Sequence, residues 1–218
     1  MKYVMAFGTR EHGPLLLEEP ISRETIAAEC REAALAFMSG VAGGWEKIDL
    51  ARWLTGPYAR ATRHCQHGER AHVDERAPRS ANGSIIRPAA VEDLLTLTRG
   101  RILAALEKAA LSDGSLEFAD DAIDRGFVRR AIDEDRIEVW VPVDGPRMRL
   151  QDRVRSLFVA DYLNAPVSYS ALYVCHRCEQ VVFDDNARQL GMCSAHRRMS
   201  GMVQKNAGEA PPSAVGDE

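Results

Sequence analysis

The stretch 173–198 holds two ligand pairs, Cys175-x-x-Cys178 and Cys193-x-x-His196, separated by fourteen residues. No other feature limits the fold of this 218-residue chain so sharply. Two ligands three positions apart, on a tight turn or on the first turn of a helix, can both point at one ion about 2.3 Å from each sulfur. Two such pairs close a tetrahedron. Soft thiolates with one imidazole suit zinc, and four protein ligands leave no open position for water. The expected cofactor is therefore structural zinc on Cys175, Cys178, Cys193 and His196.

Other readings of the cysteines fit less well. A thioredoxin-like redox pair also reads Cys-x-x-Cys, but it sits in a βαβ setting without a second pair downstream. An iron–sulfur cluster usually takes four thiolates. His176 lies inside the first pair and could exchange in, although the middle residues of such a knuckle normally point away. Between the pairs, Gln180 to Phe183 and Arg188 to Leu190 suit a short hairpin, with Asp184-Asp185-Asn186 turning it. The stretch from Ser194 to Val203 suits a helix that would put Cys193 and His196 at its start, where the helix dipole helps to hold thiolate charge. Arg177, Arg188, Arg197 and Arg198 would offset the negative charge of three thiolates on a divalent ion.

This arrangement resembles the treble-clef and zinc-ribbon modules, in which a knuckle, a hairpin and a second ligand pair enclose structural zinc. The resemblance covers about 25 residues. It implies the four ligands just named, and it implies no particular activity.

Upstream, hydrophobic periodicity sets the elements. Ser22 is a candidate N-cap for a helix over 23–39 that presents Ile26, Cys30, Ala33, Phe37 and Val41 on one face. Gly40, Gly43 and Gly44 end it. A second helix is expected from Trp45 to Leu54, stopped by Thr55-Gly56-Pro57. Pro88 suits the first turn of a third helix, in which Val91, Leu95, Thr98, Ile102, Leu106 and Ala109 keep register, with Leu94, Leu103 and Ala110 widening the stripe. Asp113-Gly114 breaks it.

A short strand is then expected at Ser115–Phe118 and one helix from Ala119 to Asp135. A strand over 137–141 follows, Asp144-Gly145-Pro146 makes a turn, and a return strand is expected over Met148–Leu150. A helix from Arg153 to Leu163 carries Val154, Leu157, Phe158 and Tyr162. This order over 89–150 loosely resembles a winged-helix domain. The fold class expected is α+β, mainly helical in its N-terminal and central parts, with a winged-helix-like middle and a small C-terminal zinc module. The expected divisions are a helical region 1–72, a linker 73–87, a helix-rich domain with a β-ribbon 88–164, a zinc module 165–205 and a disordered tail 206–218. Lys2 to Phe7 could add a strand.

Charge narrows the classes of partner. Net charge is −4, but it is divided. Residues 112–145 carry ten acids against four Arg, whereas 146–205 carry nine basic groups against five acids. The basic surplus makes Arg147, Arg149, Arg153 and Arg155, around the expected ribbon, and Arg197 and Arg198 candidates for phosphate contact. The acidic total favours a protein partner. No apolar run reaches the roughly 20 residues needed to cross a bilayer, and no cleavable signal is evident. A soluble, cytoplasmic protein is expected, with no membrane partner.

Known catalytic motifs are missing. There is no phosphate-binding glycine loop, no dinucleotide fingerprint, no nucleophile elbow and no His-Glu-x-x-His pair. The acid pairs Asp120-Asp121 and Asp184-Asp185 read as solvated. One cluster, His64, Cys65, His67 and His72, fits no common zinc spacing and reads as a polar surface segment; alternatively, Cys65 beside a His is an activated nucleophile. Three readings of function therefore stand: a non-enzymatic zinc-containing binding or regulatory protein, an enzyme using Cys65 with His64, His67 or His72, and an architectural subunit whose Leu94–Leu106 stripe meets a partner helix.

Overall fold

Ser22 opens the first helix, α1 (Arg23–Ala42), and its side chain accepts a hydrogen bond from the Thr25 amide. The computed structural model describes residues 15–16, 21–65, 88–112, 114–132, 138–145 and 148–199. The expected strand at 2–7, the linker 73–87 and the tail 206–218 lie outside these residues. The class is α+β, mostly helical with short strands.

The face of α1 that the apolar spacing marks is the face that is buried: Ile26, Cys30, Ala33 and Phe37, with Ala27, Ala34 and Met38 beside them. Small residues at 27, 30, 33 and 34 let α6 (Leu150–Asn164) approach closely. That helix is the centre of the molecule. Ser156 to Asp161 are buried without interruption, because α6 meets α1, the sheet and α4 (Pro88–Leu111) on different sides. In α4, each of the six residues placed in register, Val91, Leu95, Thr98, Ile102, Leu106 and Ala109, is buried.

After α1 the chain turns through Gly43 and Gly44 into α2 (Lys47–Thr55), which is capped reciprocally by Glu46 and Asp49. Gly40 lies within α1 rather than ending it. A Cβ there would sit 1.8 Å from the Trp45 ring, so the glycine makes room for that indole to stack edge-on against Phe37. Pro57 stops α2 and also starts a further helix, α3 (Pro57–Thr62), in the first-turn position where proline loses nothing. Tyr58 is fully buried and stacks on Trp53 with ring centroids 5.0 Å apart.

Three short segments between 115 and 150 depart from expectation. Ser115–Phe118 forms turns and not a strand. The helix expected over 119–135 stops early, as α5 (Ala119–Asp124). Gly126 has φ +69°, a left-handed conformation that ends a helix and that glycine adopts without a Cβ penalty. The chain continues as strand β2 (Val128–Ile132), antiparallel to β3 (Glu138–Pro142). Leu15–Leu16 (β1) adds a parallel edge to β2. Residues 148–150 are not a return strand, and Leu150 begins α6. The ribbon that carried the winged-helix resemblance therefore lies one strand earlier, before the turn at 144–145.

The last strands, β4 (Leu172–Val174) and β5 (Val181–Phe183), pair antiparallel. Alternation along them divides the hairpin between two cores. Leu172, Val174, Val181 and Phe183 pack into the main core, whereas Tyr173 and Val182 join a small cluster with Cys175, Ala187 and Cys193. Period-two geometry thus makes this hairpin the wall shared by the helical body and the cysteine cluster. The main core takes in residues from α1 to β5, on both sides of the undescribed stretch 66–87.

Candidate metal centre

The ligand atoms of Cys175, Cys178, Cys193 and His196 lie within 4.8 Å of one another. The knuckle forms at the turn of the β4–β5 hairpin. The Cys175 amide donates to Gln180 O, and the Glu179 amide donates back to Cys175 O at 2.6 Å. The hairpin therefore closes around Cys175 and Cys178 themselves. The segment expected as its second arm, 188–190, belongs to a helix instead, α7 (Asp185–Leu190). Asp184 caps that helix by accepting from the Asn186 amide, and Gly191 at φ +64° ends it. Cys193 then precedes a helical segment over 194–199, α8, and accepts its first backbone bond from the Arg197 amide. His196 stands in the first turn of α8, as expected.

Three of the six separations match those of a tetrahedral cage. Two sulfurs, each about 2.3 Å from one ion at the tetrahedral angle, are about 3.8 Å apart, and a sulfur and an imidazole nitrogen about 3.5 Å apart. Cys178 Sγ lies 3.8 Å from Cys193 Sγ. His196 Nδ1 lies 3.4 Å from Cys175 Sγ and 3.3 Å from Cys193 Sγ. No disulfide joins these cysteines. His176 is exposed, with its ring edge-on to Tyr173, and takes no part in the cage.

Electrostatics give the cage a reason to hold a cation. Burial works to raise the Cys175 thiol, but the amides of Cys193, Arg177 and Cys178 and the His196 ring outweigh it and bring the group down to about 6. Burial pushes Cys178 up to about 11, helped by the adjoining Cys175 and Cys193 sulfurs. Thiols packed this closely cannot all ionise against one another without a positive charge between them. A divalent ion would supply that charge, and the three sulfurs and the imidazole nitrogen could together offer it four ligands.

Two contacts that sequence reasoning missed lock the centre to the body. Glu179 has φ +53°, in the left-handed region where a non-glycine residue is strained by about 1 kcal/mol. Arg99 of α4 holds it there, donating to the Glu179 carboxylate at 2.7 Å and to its carbonyl at 3.1 Å. Its Nε also donates to Met38 O. The second contact is a buried network. Arg31 of α1 makes two bonds of 2.9 Å to the Asp161 carboxylate and also donates to Ser168 Oγ. Tyr169 Oη donates to Asp161 at 2.9 Å. The Arg31 guanidinium lies 4.3 Å above the Phe183 ring of β5. The hydrogen-bonded partners are up to 137 residues apart, so no local pattern announces them.

The arginines proposed for phosphate contact are dispersed. Arg149, Arg153 and Arg155 lie at the cap and first turns of α6, not on a ribbon. Arg153 bonds Asp144 and Gly145 O and stacks over Tyr58. Arg155 lies 3.6 Å from Asp121 and over the Phe118 ring. Arg197 pairs with Asp184 at 3.2 Å. Arg149 and Arg198 are exposed, and Arg147 is outside the described residues. Of the acid pairs, Asp121 and Asp184 thus serve arginines.

The second cluster is only partly described. His64 Nε2 lies 3.4 Å from Glu29 Oε2, beside an Arg63–Glu29 pair of 2.7 Å. The backbone of Cys65 ends the same 3-10 turn. The side chain of Cys65, and all of His67 and His72, lie outside the described residues. Among the described residues, no helix is long and apolar enough to cross a membrane. Comparison with protein-family models, curated proteins and solved structures finds no match.

Proposed function

We propose that this chain is a non-enzymatic binding protein, stapled at its C-terminal end by structural zinc, that acts through contact with another protein. One observation carries the reading: three sulfurs and one imidazole nitrogen converge within 4.8 Å, enough ligands to fill every position of a tetrahedral ion. The order of knuckle hairpin, short helix and second ligand pair at a helix start supports a treble-clef-like module. A protein partner is favoured over nucleic acid by the net charge of −4 and by Arg153, Arg155 and Arg197, which are already engaged by carboxylates.

Elemental analysis should give one zinc per chain. Cobalt substitution then tests the closed site. A tetrahedral cobalt spectrum that azide leaves unchanged is expected. A spectrum that azide shifts would reveal an open position and a catalytic metal, overturning the structural assignment. A salt titration with duplex and single-stranded nucleic acid should show no binding at low salt; steep salt-dependent binding would give the surface to nucleic acid instead.

A further inference from the structure

Helix α4 is apolar on two sides, yet the described residues cover only one. Opposite its buried stripe, Ala90, Asp93, Leu94, Leu97, Gly100, Arg101, Ala104, Lys108 and Leu111 all face solvent. At 100° per residue they span an arc of about 120° centred on Leu97, as wide as the stripe by which a helix normally meets a core. Six of the nine are apolar or small. Leu94, Leu97 and Leu111 are 47%, 53% and 88% exposed. Leu94 also lines an open cavity of about 320 Å³ with Leu50, Leu54 and Leu150.

The charges on this arc indicate what covers it. Asp93 and Arg101 are equally spaced about Leu97, four residues to either side. Neither is in an ion pair among the described residues; Arg101 donates only to the neutral Gln151. A two-fold axis through Leu97, with a second α4 running antiparallel, sets Asp93 of each copy level with Arg101 of the other. It also sets Leu94 level with Gly100, and Ala90 level with Ala104. A parallel arrangement would instead bring like charges together. Gly100 fits the same scheme. It costs about 1 kcal/mol relative to alanine in mid-helix, and a Cβ there would meet nothing within 4 Å among the described residues. None of those residues requires a glycine there, whereas a closely crossing helix would.

We propose that the exposed face of α4 is a homodimer seam, occupied by the antiparallel α4 of a second copy of this chain. The proposal is independent of the metal. It is tested on the full zinc-loaded chain by sedimentation equilibrium from about 1 μM to about 1 mM, the range in which modest interfaces reveal themselves. A dimer is expected. Asp93→Arg and Arg101→Asp should each weaken it at least tenfold by opposing like charges. The double exchange should restore it to within a few-fold, because the pair is re-formed with reversed sign. All these positions are exposed, so the variants should keep the circular dichroism of the parent. A monomer throughout the range overturns the proposal, and protected α4 amides in that monomer would give the face to another part of the same chain. A dimer indifferent to the single exchanges, or a double exchange no better than the singles, equally overturns it.

Discussion

At the residue scale the centre is governed by a thiol that holds its proton and one that does not. Near pH 7 Cys175, at about 6, is mostly thiolate, while Cys178, at about 11, is a thiol. A metal must therefore displace at least one proton, from Cys178. The sign follows: Cys178 keeps that proton across this range and releases it on binding, so affinity should rise by at least tenfold per unit between about pH 7 and pH 9. Titration calorimetry in buffers of different ionisation enthalpy checks this, and an uptake of zinc without proton release would contradict it. Cys178→Ser removes a ligand from a site whose binding energy is on the order of 10 kcal/mol. The segment 165–199 should then become sensitive to limited proteolysis, and unchanged resistance would sink the structural role. Asp161→Ala leaves the Arg31 guanidinium facing a buried void and should cost about 3 kcal/mol in urea unfolding.

Single elements show what a sequence can and cannot reveal. Helices α1, α4 and α6 were legible because their apolar residues recur at helical spacing. The four ligands were legible because their chemistry is local and their spacing is short. The stretch 119–132 was not, since acids alternating with apolar residues suit a helix and a strand alike; the left-handed Gly126 decides between them. The hairpin was placed one strand too late, because Leu172–Val174 has no turn residue beside it until the knuckle itself supplies the turn. Nothing in the sequence singles out Glu179, and its grip by Arg99 accounts for a non-glycine residue at that backbone angle. Arg99→Met should therefore loosen the knuckle, and Glu179→Gly should largely rescue it by removing the strain, as read by the rate of zinc loss to a chelator. At Gly40, substitution by Ala would drive a methyl group into the Trp45 indole and cost about 2 kcal/mol, with a red shift of tryptophan emission as the ring is expelled.

At the scale of the whole molecule, the cysteine cluster is not an appendage. Leu172, Val174, Val181 and Phe183 belong to the same core as α1 and α6, and Arg31 and Arg99 reach across to the hairpin from α1 and α4. Chelation should therefore lower the melting temperature of the helical body as well, and speed amide exchange in α1 and α6. Two modules held apart would leave those amides untouched, which makes the exchange experiment decisive.

That shared wall has a consequence for how such a chain can diverge. Within β4 and β5 every neighbour looks the opposite way, so deleting one residue would aim Tyr173 at the helices and an aliphatic side chain at the cysteine cluster. Loops elsewhere can lengthen at little cost. Between 172 and 183 the spacing is a fixed count, and descendants of this chain should change letters there but never their number.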